Sequence, residues 1–114
     1  MAHQKRDEMK DYLFRAILSL ESLDDCYNFF DDLCTIKEVS EMAKRMCGAK
    51  MLAENCVYTE ITEKTGLSTA TISRINRCLK YGSDGYSEVL RRLDEAGVEP
   101  PVKMEEKTED GTNG

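Results

Sequence analysis

Between Tyr58 and Lys80 the chain carries two short amphipathic segments separated by a single glycine, Gly66. Few patterns restrict a fold as tightly. Thr59 can cap a helix of two turns over residues 60–65, and Gly66 stops it, because glycine enters the left-handed conformation without steric penalty. Ser68 can cap a second helix from Thr69 to about Tyr81, on which Ile72, Ile75 and Leu79 line one face. Helix, tight glycine turn and second helix make up a helix-turn-helix pattern. Leu67, with Ile61, Ile72 and Ile75, is expected to fill the angle between the two helices. The opposite face presents Ala70, Ser73, Arg74 and Arg77. Small residues there let a helix approach base edges, and arginines can reach phosphates or guanine. A helical hairpin packed only against protein, with the arginines as a solvated face, produces the same pattern.

Charge separates these two readings. The chain of 114 residues has a net charge of −6, which taken whole argues against nucleic acid. From Glu21 to Glu41, however, there are seven acids against one base, whereas from Lys64 to Gly82 there are four bases and no acid. The local patch, not the total, neutralises phosphates. The candidate DNA-contacting residues are therefore Lys64, Ser68, Thr69, Ala70, Thr71, Ser73, Arg74, Arg77 and Lys80.

The rest of the chain is also helical in period. Met9, Leu13, Ala16, Ile17 and Leu20 mark a helix from about Asp7 to Glu21, and Leu23, Cys26, Tyr27, Phe30 and Leu33 mark a second, capped by Ser22 or Asp24. Thr35 and Glu38 have capping-box spacing and open a long helix that reaches about Glu54, with Gly48 inside it marking local weakness or close packing. Gly82-Ser83-Asp84-Gly85 is a turn, followed by a helix from about Ser87 to Ala96 that Gly97 ends. The expected fold is all-α with about six helices in one domain, residues 1–97. Residues 98–114 form an acidic tail expected to be disordered.

Several function classes fall away. No uncharged stretch approaches the ~18 apolar residues of a membrane span. The only histidine is His3, which removes most triads and histidine-based metal sites, and no cofactor or metal is expected. Cys26, Cys34, Cys47, Cys56 and Cys78 are at least eight residues apart, which suits small core residues in a reducing cytoplasm better than a disulfide framework. Asp24-Asp25 and Asp31-Asp32 read as a solvated acidic face. Tyr12, Tyr27, Phe29 and Phe30 offer more aromatic surface than two short helices can hide, which points to a second copy of the chain. No general base or nucleophile pair can be named, so an enzyme is not expected.

The stretch from Leu33 to Glu38 leading to Met42-Ala43-Lys44-Arg45, then Tyr58-Thr59-Glu60-Ile61, Gly66 to Arg74 and Asn76 to Gly82, resembles the Trp repressor superfamily, and within it the bacterial Trp-repressor-like YerC/YecD family. The resemblance covers roughly residues 8–97, and Ser-Thr-Ala-Thr-Ile-Ser-Arg (68–74) is its most specific block. It implies six helices, a helix-turn-helix in each subunit, and an intertwined homodimer whose core is made by the first three helices and the last. In the Trp repressor the ligand pocket has an arginine from the long helix, a threonine, and a glycine following the recognition-helix arginine. Arg74 matches the recognition-helix arginine directly, and Arg45 and Thr35 match the other arginine and the threonine once one residue is dropped from the loop near Asn55, but the glycine is Ile75 here, so tryptophan sensing is not expected and any effector is unknown. Thr62 stands where many helix-turn-helix proteins have alanine. Two functions fit: a dimeric, sequence-specific double-stranded-DNA-binding regulator, expected to repress, or a non-enzymatic adaptor whose helix-turn-helix docks on another protein.

Overall fold

Local chemistry sets the helix starts. In a computed structural model that describes residues 5–102, the Thr35 amide donates to Glu38 Oε1 at 2.8 Å and the Glu38 amide donates to Thr35 Oγ1 at 3.1 Å. This reciprocal pair satisfies two amides that a helix start leaves without partners. It opens α3 (Ile36–Ala53). Asp7 caps α1 (Glu8–Leu18) through the Lys10 amide at 2.7 Å, and Ser22 caps α2 (Leu23–Leu33) through the Asp25 amide at 3.0 Å. Three more helices follow: α4 (Tyr58–Thr65), α5 (Thr69–Tyr81) and α6 (Gly85–Glu95). The fold is all-α, with six helices among the described residues.

Three boundaries differ from the sequence expectation. α1 ends at Leu18 rather than Glu21, where the Ser19 hydroxyl donates to the Ala16 carbonyl at 2.6 Å and closes the last turn. α4 begins one residue before Thr59, with an extended Val57 as its flanking residue and no side-chain cap. α6 begins at Gly85 rather than Ser87, after Asp84 in the left-handed region (φ 66°). Aspartate tolerates that region better than most residues.

The chain forms two compact units, one up to Met42 and one from Ala43 onward, with α3 running through the boundary. The second unit holds the core: Ala49, Met51, Ile61, Leu67, Ile72, Ile75 and Leu90. Val102 packs against that cluster, so ordered packing continues beyond Gly97, while residues 103–114 of the expected tail lie outside the described part. The first unit has no fully buried residue among those described. Met9, Tyr12, Leu18 and Ile36 are each at least 80% exposed there.

Lys50 ties α3 to α6 inside the second unit. Its ammonium lies 2.9 Å from Glu54 and 3.1 Å from Asp94, and only 12% of its side chain is exposed. The hydrogen bonds to Glu54 and then Asp94 raise its pKa above the ordinary lysine value of 10.5. A raised folded-state pKa contributes stability that is fully present below the unfolded value and is lost as pH rises through the folded one. Lys50→Met should therefore lower stability at neutral pH by about 1 kcal/mol, and urea titrations should find that difference shrinking above pH ~10.5.

Candidate nucleic-acid interface

Thr65 shapes the turn between α4 and α5. Its buried hydroxyl donates to the Ile61 carbonyl at 2.7 Å and accepts from the Leu67 amide at 3.1 Å. Gly66 then takes φ +79°, and its amide donates to the Thr62 carbonyl at 2.8 Å. The chain reverses within three residues, and Leu67, 1% exposed, drops beneath the turn among Ile61, Ile72 and Ile75. A Cβ on Gly48 would stand 2.8 Å from Leu67 Cδ1, closer than carbon atoms approach. Gly48 is thus a site of close packing, where α3 meets the turn. Thr62 is exposed, so it takes no part in that packing.

Overfilling this contact should be harmful. Gly48→Leu is expected to destabilise the protein by about 1–3 kcal/mol, measured by urea unfolding. Gly48→Ala should do much less, since the clash is with the far end of a flexible side chain and alanine favours helix by ~1 kcal/mol.

Ser68 caps α5: its hydroxyl accepts from the Thr71 amide at 3.2 Å and donates to Thr71 Oγ1 at 3.0 Å. With Ile72 and Ile75 buried and Leu79 half-buried, the helix turns Thr69, Ala70, Ser73, Arg74, Arg77 and Lys80 outward, all exposed. Ser68 is exposed as well, and Thr71 is half-buried beside it. Lys64, on α4, is engaged with Glu60 at 3.2 Å. Elsewhere in the second unit Arg91 bonds Glu88 and Glu95, and Arg92 bonds Glu88 at 3.0 Å. Those bonds, Arg91 first, hold the Glu88 carboxyl below the usual carboxylate range. Arg74, Arg77 and Lys80 make no ion pair among the described residues.

The start of α5 is also distinct. The other five helices all carry an acid in the first turn, where a carboxylate complements the partial positive charge of the helix start. α5 has none. Its start therefore keeps the partial positive charge of the helix end with no carboxylate to offset it. Thr65 supports the turn in a role that sequence patterning does not single out, and for Gly48 the sequence offers close packing without naming Leu67 as the neighbour. The Thr-Gly-Leu run at 65–67 is the available signal.

A family model described as Trp repressor protein matches residues 8–94. The chain belongs to the Trp repressor family. It is 50% identical over 98 residues to YerC, an uncharacterized protein of Bacillus subtilis strain 168, a match covering 86% of this chain and 94% of that one. The crystal structure of a TrpR-like protein from Eubacterium eligens superposes with a TM-score of 0.72 at 54% identity, over 78% of this chain and 90% of that chain. The crystal structure of a Trp repressor-type protein from Staphylococcus aureus gives a TM-score of 0.74 at 43% identity, over 83% and 92% of the two chains. The likeness to YerC places the chain in the Trp-repressor-like YerC branch of the family. Ile75 is 2% exposed and packs into the core, with its Cδ1 3.7 Å from where a Cβ on Gly48 would stand. Its side chain is part of the fold of this family member.

Proposed function

We propose that the protein is a homodimeric, cytoplasmic transcriptional repressor that reads double-stranded DNA with α5 and does not respond to tryptophan. The observation that carries this reading is the bare positive face of α5: no acid in its first turn, and Arg74, Arg77 and Lys80 outside any described ion pair in a chain of net charge −6. Ser68, Thr69, Ala70, Thr71 and Ser73 occupy the end that would enter the major groove, while Arg74, Arg77 and Lys80 flank it as backbone or guanine contacts. Lys64 would contribute from α4 on exchanging Glu60 for a phosphate. Selection of binding sites from random duplex DNA by the purified protein tests this directly. A recovered two-fold motif, bound with steep salt dependence, is the expected result. Salt-independent binding, or no enrichment, would favour a protein-docking adaptor.

The dimer rests on the first unit. Its described residues include exposed Met9, Tyr12, Leu18, Leu23, Tyr27 and Ile36 and no buried one, so its apolar surface needs a second copy to cover it. The thermal midpoint should rise with protein concentration, in scanning calorimetry over a hundredfold dilution series. An unchanged midpoint with monomeric sedimentation would overturn the dimer.

A further inference from the structure

Ala70, Arg74, Arg77 and Tyr81 follow one another at four, three and four residues, so they share one stripe of α5. The first three belong to the outward face already described, and the fourth extends it to the last residue of the helix. Tyr81 is 81% exposed. Among the described residues of the second unit, the other large apolar side chains left exposed are Val57, Val89 and Val98, so Tyr81 is the one aromatic ring that this unit leaves in water. Its phenol makes no hydrogen bond or ring contact among the described residues. The chain turns off directly behind it. The Gly82 amide donates to the Cys78 carbonyl at 2.9 Å, and a Cβ on Gly82 would stand 2.5 Å from that same oxygen. A side chain at 82 would push the helix end apart, so glycine keeps the end tight and the ring uncovered.

From Ala70 to Tyr81 the stripe runs ~16 Å at 1.5 Å of rise per residue. The major groove is ~12 Å wide. A helix laid with its small-residued end on base edges therefore carries its far end to the phosphates that wall the groove. We propose that Tyr81 is a DNA-backbone residue, whose hydroxyl donates to a phosphate oxygen at that wall, so that α5 binds along its whole length rather than by its first turns alone. The inference rests on the DNA-binding reading above and adds a neutral contact to its cationic ones. Single exposed apolar residues are common on protein surfaces. Tyr81 differs in its register with Arg74 and Arg77, which make no ion pair among the described residues. Tyrosine also suits the place chemically, since its O–H binds phosphate oxygens without bringing charge.

Neutrality gives the contact its own signature. Tyr81→Ala should weaken binding of the full chain to every duplex by about tenfold or more. The slope of log K against log salt should stay as it is, because a neutral hydroxyl releases no condensed counterion. Loss of Arg74 or Arg77 as a phosphate contact would lower that slope instead. Tyr81→Phe keeps the ring and removes the donor, and should lose most of the same affinity. Fluorescence anisotropy with a selected duplex and an unrelated one reads both variants, and neither should move the thermal midpoint or the sedimentation coefficient. The chain contains no tryptophan, so Tyr81→Trp places a single indole at this position. Bound duplex should quench its emission and shield it from acrylamide.

Wild-type affinity in both the alanine and phenylalanine variants, or indole emission unaltered by bound duplex, would overturn the contact while leaving the helix-turn-helix reading in place. Full affinity in Tyr81→Phe beside a weakened Tyr81→Ala would overturn the hydroxyl's role. A lowered salt slope in Tyr81→Ala would also count against the proposal, since the ring would then act only by positioning the arginines. A wild-type chain without salt-dependent duplex binding would instead remove the DNA reading itself.

Discussion

Replacing Arg74 and Arg77 together by alanine should weaken binding to duplex DNA by on the order of a hundredfold or more, with no change in thermal midpoint. Both side chains are exposed and make no described ion pair, so their removal leaves no buried partner stranded. In the proposed dimer the double variant removes four cationic groups, and removing one phosphate-binding cation lowers the slope of log K against log salt by about 0.9. The slope should therefore fall by up to ~4 if all four reach the backbone. A guanine-reading arginine would reveal itself differently, as relaxed preference at one base position worth ~1–3 kcal/mol. Fluorescence anisotropy at several salt concentrations, with matched and mismatched duplexes, separates these roles. An affinity equal to wild type on every duplex would remove α5 from the interface.

Ile75→Gly should destabilise the protein by about 2–4 kcal/mol without creating a response to tryptophan. The side chain is 2% exposed and packs in the core of the second unit, so truncation opens a cavity and adds the poor helix propensity of glycine. For the wild type, L-tryptophan should neither stabilise the fold nor tighten DNA binding, because a ligand shifts an equilibrium only through differential contacts with its states. Isothermal titration at millimolar tryptophan checks this. Saturable heat, accompanied by stronger DNA binding, would mean that an indole finds room despite the isoleucine.

Local chemistry is legible in the sequence. The Thr35–Glu38 box, the Ser22 and Ser68 caps and the Gly66 stop all depend on residues within three or four positions, and all appear in the fold. The inward set of α5, Ile72, Ile75 and Leu79, also follows from period alone. What the sequence hides depends on neighbours distant along the chain. Thr65 bonds two backbone groups that converge only once the turn has closed, and Gly48 is explained by a leucine nineteen positions later. Val102, a lone apolar residue after two prolines, has no period to announce its packing. The cysteines are expected in the core, yet all five are half-buried, since period marks a face without telling how completely it is covered. The same limit hides the division into two units: apolar positions on α1 and α2 look like any core stripe until their exposure is known.

The contact between Gly48 and Leu67 has a consequence for how such a chain can diverge. A side chain gained at position 48 meets an obstacle at 67, and a smaller residue at 67 leaves a void while 48 stays bare. A bulky residue at 48 alone, or a smaller one at 67 alone, is penalised, whereas both together exchange one volume for another. Descendants of this chain should therefore keep both residues or replace both. Gly48→Ala combined with Leu67→Val should be less damaging than the two separate effects added, which makes the pair a ratchet on sequence drift at the very turn that aims α5.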